Sequence, residues 1–261
     1  MISVTSDQLS TWLAMFFWPL ARILAWLSID PMLGNRSAPV SVRVALGVAL
    51  TLAVAPVLPE MPKVPIVSGE GLLLLGQQIV IGMSLGFALR LVFAAIEFSG
   101  QFMGLQMGLS FATLFDPVNG AQTPVLAQFM VLLTILILFA SNGHHLVIAA
   151  VVDSFRHAPI SAEPMSSRGL YSILHWSASM FSVGLQIALP VTAAVLASNL
   201  AIGMMSRAAP QLNIFAVGFP LTLAAGFFVL YMAIGYFPAL IERVWGEALA
   251  AMAAASRGFV P

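Results

Sequence analysis

Residues 71–109, GLLLLGQQIVIGMSLGFALRLVFAAIEFSGQFMGLQMGL, form a stretch in which only Arg90 and Glu97 are charged. Written as one helix, this stretch would run about 58 Å at 1.5 Å per residue. The hydrocarbon core of a bilayer is only ~30 Å thick, and tilt alone does not absorb the difference. Either the helix breaks at Gly82, Gly86 or Gly100, or it leaves the bilayer, or neighbouring subunits rather than lipid cover it. A second stretch, 172–206, raises the same question at about 50 Å, with Pro190 available to kink it.

The rest of the chain is of the same kind. Of its 261 residues 60% are hydrophobic and 8% are charged, and mean hydropathy is +1.00. A soluble domain could not hide that much apolar surface, so the sequence predicts an all-α membrane protein. The apolar runs are continuous rather than alternating, which excludes a β-barrel. Six of them stand out, at about 9–29, 42–59, 71–109, 125–152, 172–206 and 214–241, and they predict long kinked helical hairpins. Breakers separate them at Asp30-Pro31 with Gly34-Asn35, at 56–65, at 108–124, at 157–167 and at 208–213. There is no cysteine for a disulfide or a thiolate site, and the formal net charge of zero argues against a nucleic-acid partner. The N-terminus reads as a retained helix started by a Thr5/Gln8 capping box rather than a cleavable signal, because Arg22 sits inside its apolar stretch. With six crossings, Lys63, Arg156, Arg168, Arg243 and Arg257 would share one side against Arg36, Arg43 and Arg207, a slight bias toward cytoplasmic termini.

Polar residues within these runs are candidate functional positions. Arg90, Glu97 and Gln101 fall within about 20 degrees of the Arg90 azimuth on a helix, close to Gly86, Gly104 and Gly108. The spacings Gly82/Gly86 and Gly100/Gly104/Gly108 are small-xxx-small patterns that admit another backbone. This stripe reads as a buried polar or interface surface. Ser141-Asn142-Gly143-His144-His145 interrupts the fourth run, with Asp153 and Arg156 beyond. His144 and Asp153 are too far apart on one helix to share a hydrogen bond, and adjacent histidines lack the spacing of H-E-x-x-H. No G-x-S-x-G nucleophile is present. Asn142, His144 and Asp153 therefore read as interhelical hydrogen-bonding groups, with no catalytic residue, metal site or cofactor expected. Asn199 and Arg207 share a face with Gly203, and Ala208-Ala209-Pro210 ends that helix in a tight return.

FDPVNG, then LFASNGHHLVIAAVVDSFRHAPI, then SNLAIGMMSRAAPQLNIFAVGFPLTL, in this order, resemble the FliR family of flagellar biosynthesis proteins, the membrane export-gate subunits of type III secretion. Arg22, the stretch Pro31–Arg43 and LGFALRLVFAAIEFSGQFMGLQMGLSFA are also similar to that family, so the resemblance covers nearly the whole chain. It implies a non-enzymatic subunit of the bacterial inner membrane and flagellar basal body, projecting toward the periplasmic side. In such a complex about five FliP and about four FliQ copies join it in a helical pore for unfolded flagellar proteins, with FlhB and FlhA as further partners. The implied organisation is a FliP-like portion over about 1–171, followed by a FliQ-like hairpin and C-terminus over about 172–261, with its elbow at 206–213.

The resemblance also implies that the loop at 108–122 plugs the pore. Its composition suits that role: Leu109, Phe111, Leu114 and Phe115 offer water-excluding bulk, Asp116 and Asn119 can cap the loop backbone, and Pro117 favours irregular structure. The loop has no Lys or Arg that would face the translocating chain. Two other readings remain open here. One is the related export-gate subunit of the virulence injectisome. The other is a small-solute secondary transporter with Arg90, Glu97, His144 and Asp153 at the midplane, although no internal repeat supports it.

Overall fold

A computed structural model describes residues 6–34, 39–58, 62, 64–109, 124–209 and 214–261. Among them every regular element is helical: α1 (Ser6–Ile29), α2 (Val40–Val54), α3 (Gly69–Gln106), α4 (Val125–Ala140), α5 (Gly143–His157), α6 (Arg168–Ala208), α7 (Ile214–Ala233) and α8 (Phe237–Gly258). Single 3-10 turns follow α2 at Ala55–Val57 and join α7 to α8 at Ile234–Tyr236. This is what lipid enforces, because a backbone with no water to bond must satisfy its own N–H and C=O groups within each segment.

Four stretches, Val40–Val57, Gly69–Gln106, Arg168–Ala208 and Val217–Gly258, are long and apolar enough to cross a membrane. The pair α4 and α5, bent by 75°, makes a fifth, and Leu13–Ile29 is a shorter apolar helix. The third run does not break at its glycines: α3 is continuous over 38 residues, about 57 Å. Continuous over 41 residues, α6 carries Pro190 in its interior and reaches about 62 Å. Both exceed the hydrocarbon thickness about twofold.

The fourth run turns at Ser141-Asn142. Asn142 takes the left-handed conformation (φ 57°), which short polar side chains tolerate better than most, and α5 starts immediately after it. The last run extends beyond the expected limit at 241. There α8 turns amphipathic, with Phe237, Ile241, Val244, Trp245, Ala248, Met252 and Ala255 buried and Glu242, Arg243 and Glu247 exposed. That is a helical stripe rather than a uniform run.

The chain forms two compact units. In the first, made of residues 1–91, 142–177 and 245–261, α1 packs on α3 through glycine. A Cβ on Gly82 would overlap the Arg22 carbonyl, and one on Gly86 would lie 2.8 Å from the Trp26 carbonyl. Trp18, Ile23, Trp26, Leu27, Leu85 and Phe155 fill the core around this contact. The start of α6 meets the chain end, where Gly169 leaves room for the Phe259 ring and Ser166 N–H donates to Phe259 O at 2.9 Å. Trp245 Nε1 donates to Gly143 O at 3.4 Å.

The second unit comprises residues 92–141 and 178–244. A Cβ on Gly100 would come within 2.5 Å of Ala127 Cα, so α3 and α4 touch backbone to backbone. Gly184 of α6 sits against Ala95 O, and the rings of Phe98 and Phe181 pack at 4.9 Å. Gly226 of α7 makes room for the Met107 side chain. The small-residue spacings of α3 therefore serve contacts in both units, although Gly104 has only ordinary contacts about it.

Candidate functional site

At the centre of the first unit lies Arg22 of α1, fully buried. Nε and Nη2 donate to Gln78 Oε1 of α3 at 2.9 and 2.6 Å. Nη1 donates to Ser154 O of α5 at 3.1 Å and to its Oγ at 3.3 Å. Nη2 also donates to Ala158 O, just past the end of α5, at 2.9 Å. The guanidinium carbon lies 4.2 Å from the centroid of the Phe155 ring.

A buried charge is tolerated only when its donors are met, and here a planar fork meets fixed acceptors on two neighbouring elements. No carboxylate takes part: among the described residues the one ion pair is Arg156–Asp153, at 3.1 Å on the surface. The positive charge is instead spread over carbonyl and amide oxygens and an aromatic face. Such a cluster cannot relay a proton or act as a nucleophile. Its chemistry is mechanical, fixing α1, α3 and α5 in one arrangement. No group of three or more metal-ligating side chains occurs among the described residues.

Beside it, Asp30 closes α1. Its Oδ1 accepts the N–H groups of Met32 at 3.0 Å and Leu33 at 2.6 Å, and Gly34 N–H returns to Asp30 O at 3.1 Å. Burial raises the Asp30 carboxyl above the ordinary carboxylate value, opposed by those backbone hydrogen bonds.

The positions singled out by sequence spread across the chain. Arg90 is exposed, and Gln101 Nε2 lies 3.3 Å from Glu97 Oε1 on the same helix. The rings of His144 and His145 are tilted by 45° with centroids 4.0 Å apart at the start of α5. Asn142 shapes the bend before them, and Asp153 faces Arg156 near the other end of α5. Asn199, Gly203 and Arg207 are exposed along the last turns of α6.

The loop residues Phe111, Leu114, Phe115, Asp116, Pro117 and Asn119 lie outside the described residues, as do Thr5 and residues 210–213 of the elbow. The start of that loop is described. Gly108, at φ 81°, follows α3, its N–H bonds to Leu105 O, and Leu109 N–H bonds to Gly104 O at 2.9 Å. These paired bonds are a Schellman stop, which ends α3 and redirects the chain at Leu109.

Sequence reasoning noticed Arg22 but gave it no role, and it passed over Gln78 and Ser154. Residues 12–27 are apolar except for Arg22, and that lone arginine was the available signal.

Fold and site thus define an all-α membrane protein whose first unit is held by a buried arginine hub, with two helices that outrun the bilayer. Residues 13–248 match the family model described as "Bacterial export proteins, family 1". The flagellar biosynthetic protein FliR of Escherichia coli (strain K12) is 42% identical over 247 residues, 95% of this chain and 94% of the relative. The same-named protein of Buchnera aphidicola subsp. Acyrthosiphon pisum is 34% identical over 244 residues, 94% of each. The one of Bacillus subtilis (strain 168) is 29% identical over 234 residues, 88% of this chain and 90% of that protein. The chain belongs to the FliR family of bacterial export proteins.

Proposed function

We propose that the chain is a non-enzymatic core subunit of the flagellar type III export gate in the bacterial inner membrane, within the basal body. The observation that carries this reading is end-to-end likeness to proteins named for flagellar biosynthesis, 42% identical over 95% of the chain. The two overlong helices support it. A 38-residue α3 and a 41-residue α6 suit a subunit held among other subunits rather than in lipid alone.

In this proposal about five FliP and about four FliQ copies complete the pore, FlhB and FlhA act with it, and unfolded flagellar proteins pass through. Residues 1–171 act as the FliP-like portion and 172–261 as the FliQ-like hairpin. The segment from Gly108 to Gln122 plugs the lumen, launched by the helix stop at Gly108. Arg90, Glu97, Gln101, Asn142, His144, Asp153, Asn199 and Arg207 serve as buried polar or interface groups. The arginine hub fixes α1, α3 and α5 against one another within the subunit.

Native mass spectrometry of this chain coexpressed with the FliP and FliQ proteins of its own organism tests the reading. One copy held in a large mixed complex is the expected result. A monomer or homodimer that ignores both partners would overturn it.

A further inference from the structure

The second unit contains a cavity of about 260 Å³, just under the ~300–1,000 Å³ usual for small-molecule sites. Its walls come from α3, α4, α6 and the α7–α8 junction. They are almost wholly apolar, Met103, Met130, Ile187 and Leu230 among them, and the polar groups are Gln186, Tyr236 and Arg243. Two irregularities of the backbone meet here. Pro190 of α6, itself a wall residue, has no N–H to give the Gln186 carbonyl one turn earlier. Across the cavity, α7 passes into α8 through the 3-10 turn Ile234–Tyr236. Neither helix presents the regular ridge that would fill the space.

Arg243 is exposed and has no carboxylate within 4.0 Å among the described residues, although Glu242 and Glu247 lie on the same helix. An apolar pocket with a cation at its rim, in a chain whose helices are long and apolar enough to cross a membrane, is complementary to an anionic lipid. Hydrocarbon fits the walls, and a guanidinium offers two parallel donors to a phosphate. Tyr236 and the Gln186 amide are placed to bond the glycerol and ester region, as amphipathic side chains do at a membrane interface.

We propose that this cavity is a phospholipid site, holding part of one acyl chain against Met103, Met130, Ile187 and Leu230 and an anionic headgroup at Arg243. The ligand is structural. It fills the space left by Pro190 and the 3-10 turn and supplies a counter-charge that Arg243 does not find among the described residues.

The test uses the full chain with whatever it assembles with, extracted into nanodiscs of phosphatidylglycerol and phosphatidylethanolamine and read by native mass spectrometry with lipid identification. The wild type retains one phosphatidylglycerol per chain through collisional activation. Arg243→Gln, an exposed change that leaves the core intact, lowers phosphatidylglycerol retention about tenfold, the factor that one lost charge-assisted contact gives. Ala233→Trp, which fills the cavity from its wall, removes bound phospholipid of both kinds. Equal retention in the wild type and both variants would overturn the proposal. So would a photocrosslinker at position 236 that captures a protein subunit in place of lipid, since the surface would then belong to a protein interface.

Discussion

Replacing Arg22 by alanine tests whether the hub holds the first unit together. The Ser154 carbonyl keeps a donor in the Ala158 N–H, at 2.8 Å, and Ser154 Oγ still donates to Val151 O. Gln78 Oε1 and Ala158 O are the acceptors that lose the hub's donors. At ~1–3 kcal/mol for each buried orphan, the loss is ~2–6 kcal/mol. The vanished contact with the Phe155 face adds to it, and relief from burying a charge subtracts, which leaves about 4 kcal/mol out of a total near 5–15 kcal/mol. At ~2–4 °C per kcal/mol for a chain of this size, Tm falls by about 8–16 °C.

The assay is built in, because Trp18 and Trp26 flank Arg22 one turn away on each side and are fully buried, so tryptophan fluorescence of the purified protein reports the unit directly. Arg22→Lys recovers only part of the loss, since an ammonium group cannot span the same acceptors as a planar fork. Arg22→Ala and Gln78→Ala together cost less than the sum of the two, by ~1.5–3 kcal/mol, because both remove the same bonds. A Tm shift below ~2 °C, or additive single effects, would refute the assignment of the hub as the structural tie.

Shortening Phe111–Ala121 leaves assembly intact and makes membranes bearing the complex leak ions, which conductance in planar bilayers measures; unchanged conductance in an assembled mutant removes the plug. Alanine at Arg90 or Glu97 lowers recovery of partner subunits in copurification, whereas normal yields from both variants mean that the α3 stripe is not an interface. Asp30 contributes a pH dependence. Its folded pKa lies above the ordinary 3.8, so the folded state holds a proton that the unfolded state releases, and stability falls as pH rises through that window. Asp30→Asn keeps the Oδ1 acceptor, so wild-type Tm gains on the variant as pH drops from neutral toward 3.8; parallel pH curves contradict this.

Where each residue's neighbours are lipid or the next turn of its own helix, the structure was legible from composition. The runs at 71–109 and 172–206 became α3 and α6 because an apolar chain in hydrocarbon has only its own backbone to bond. The last helix was less legible. Glu242, Arg243 and Glu247 dilute the hydropathy of α8, and only its spacing of buried residues shows the helix. The Asn142 bend was half visible, as a polar break without an angle. Least legible was the hub, whose arginine stands out in sequence while its partners lie 56 to 136 residues away. Nothing local selects Gln78 over Gln77. The former is buried at the hub and the latter reaches the Glu163 carbonyl at the surface.

That separation along the chain has a consequence for biosynthesis. Arg22 leaves the ribosome 132 residues before Ser154 and 136 before Ala158, a delay of roughly 7–27 s at ~5–20 residues per second. For that time the first helix carries an arginine whose insertion alone costs ~2.5–3.5 kcal/mol at the bilayer centre. α1 can satisfy part of that arginine when α3 brings Gln78, and the rest only once α5 brings Ser154 and Ala158. The hub's bonds thus close in the order in which their acceptors are made, Gln78 first and Ala158 last.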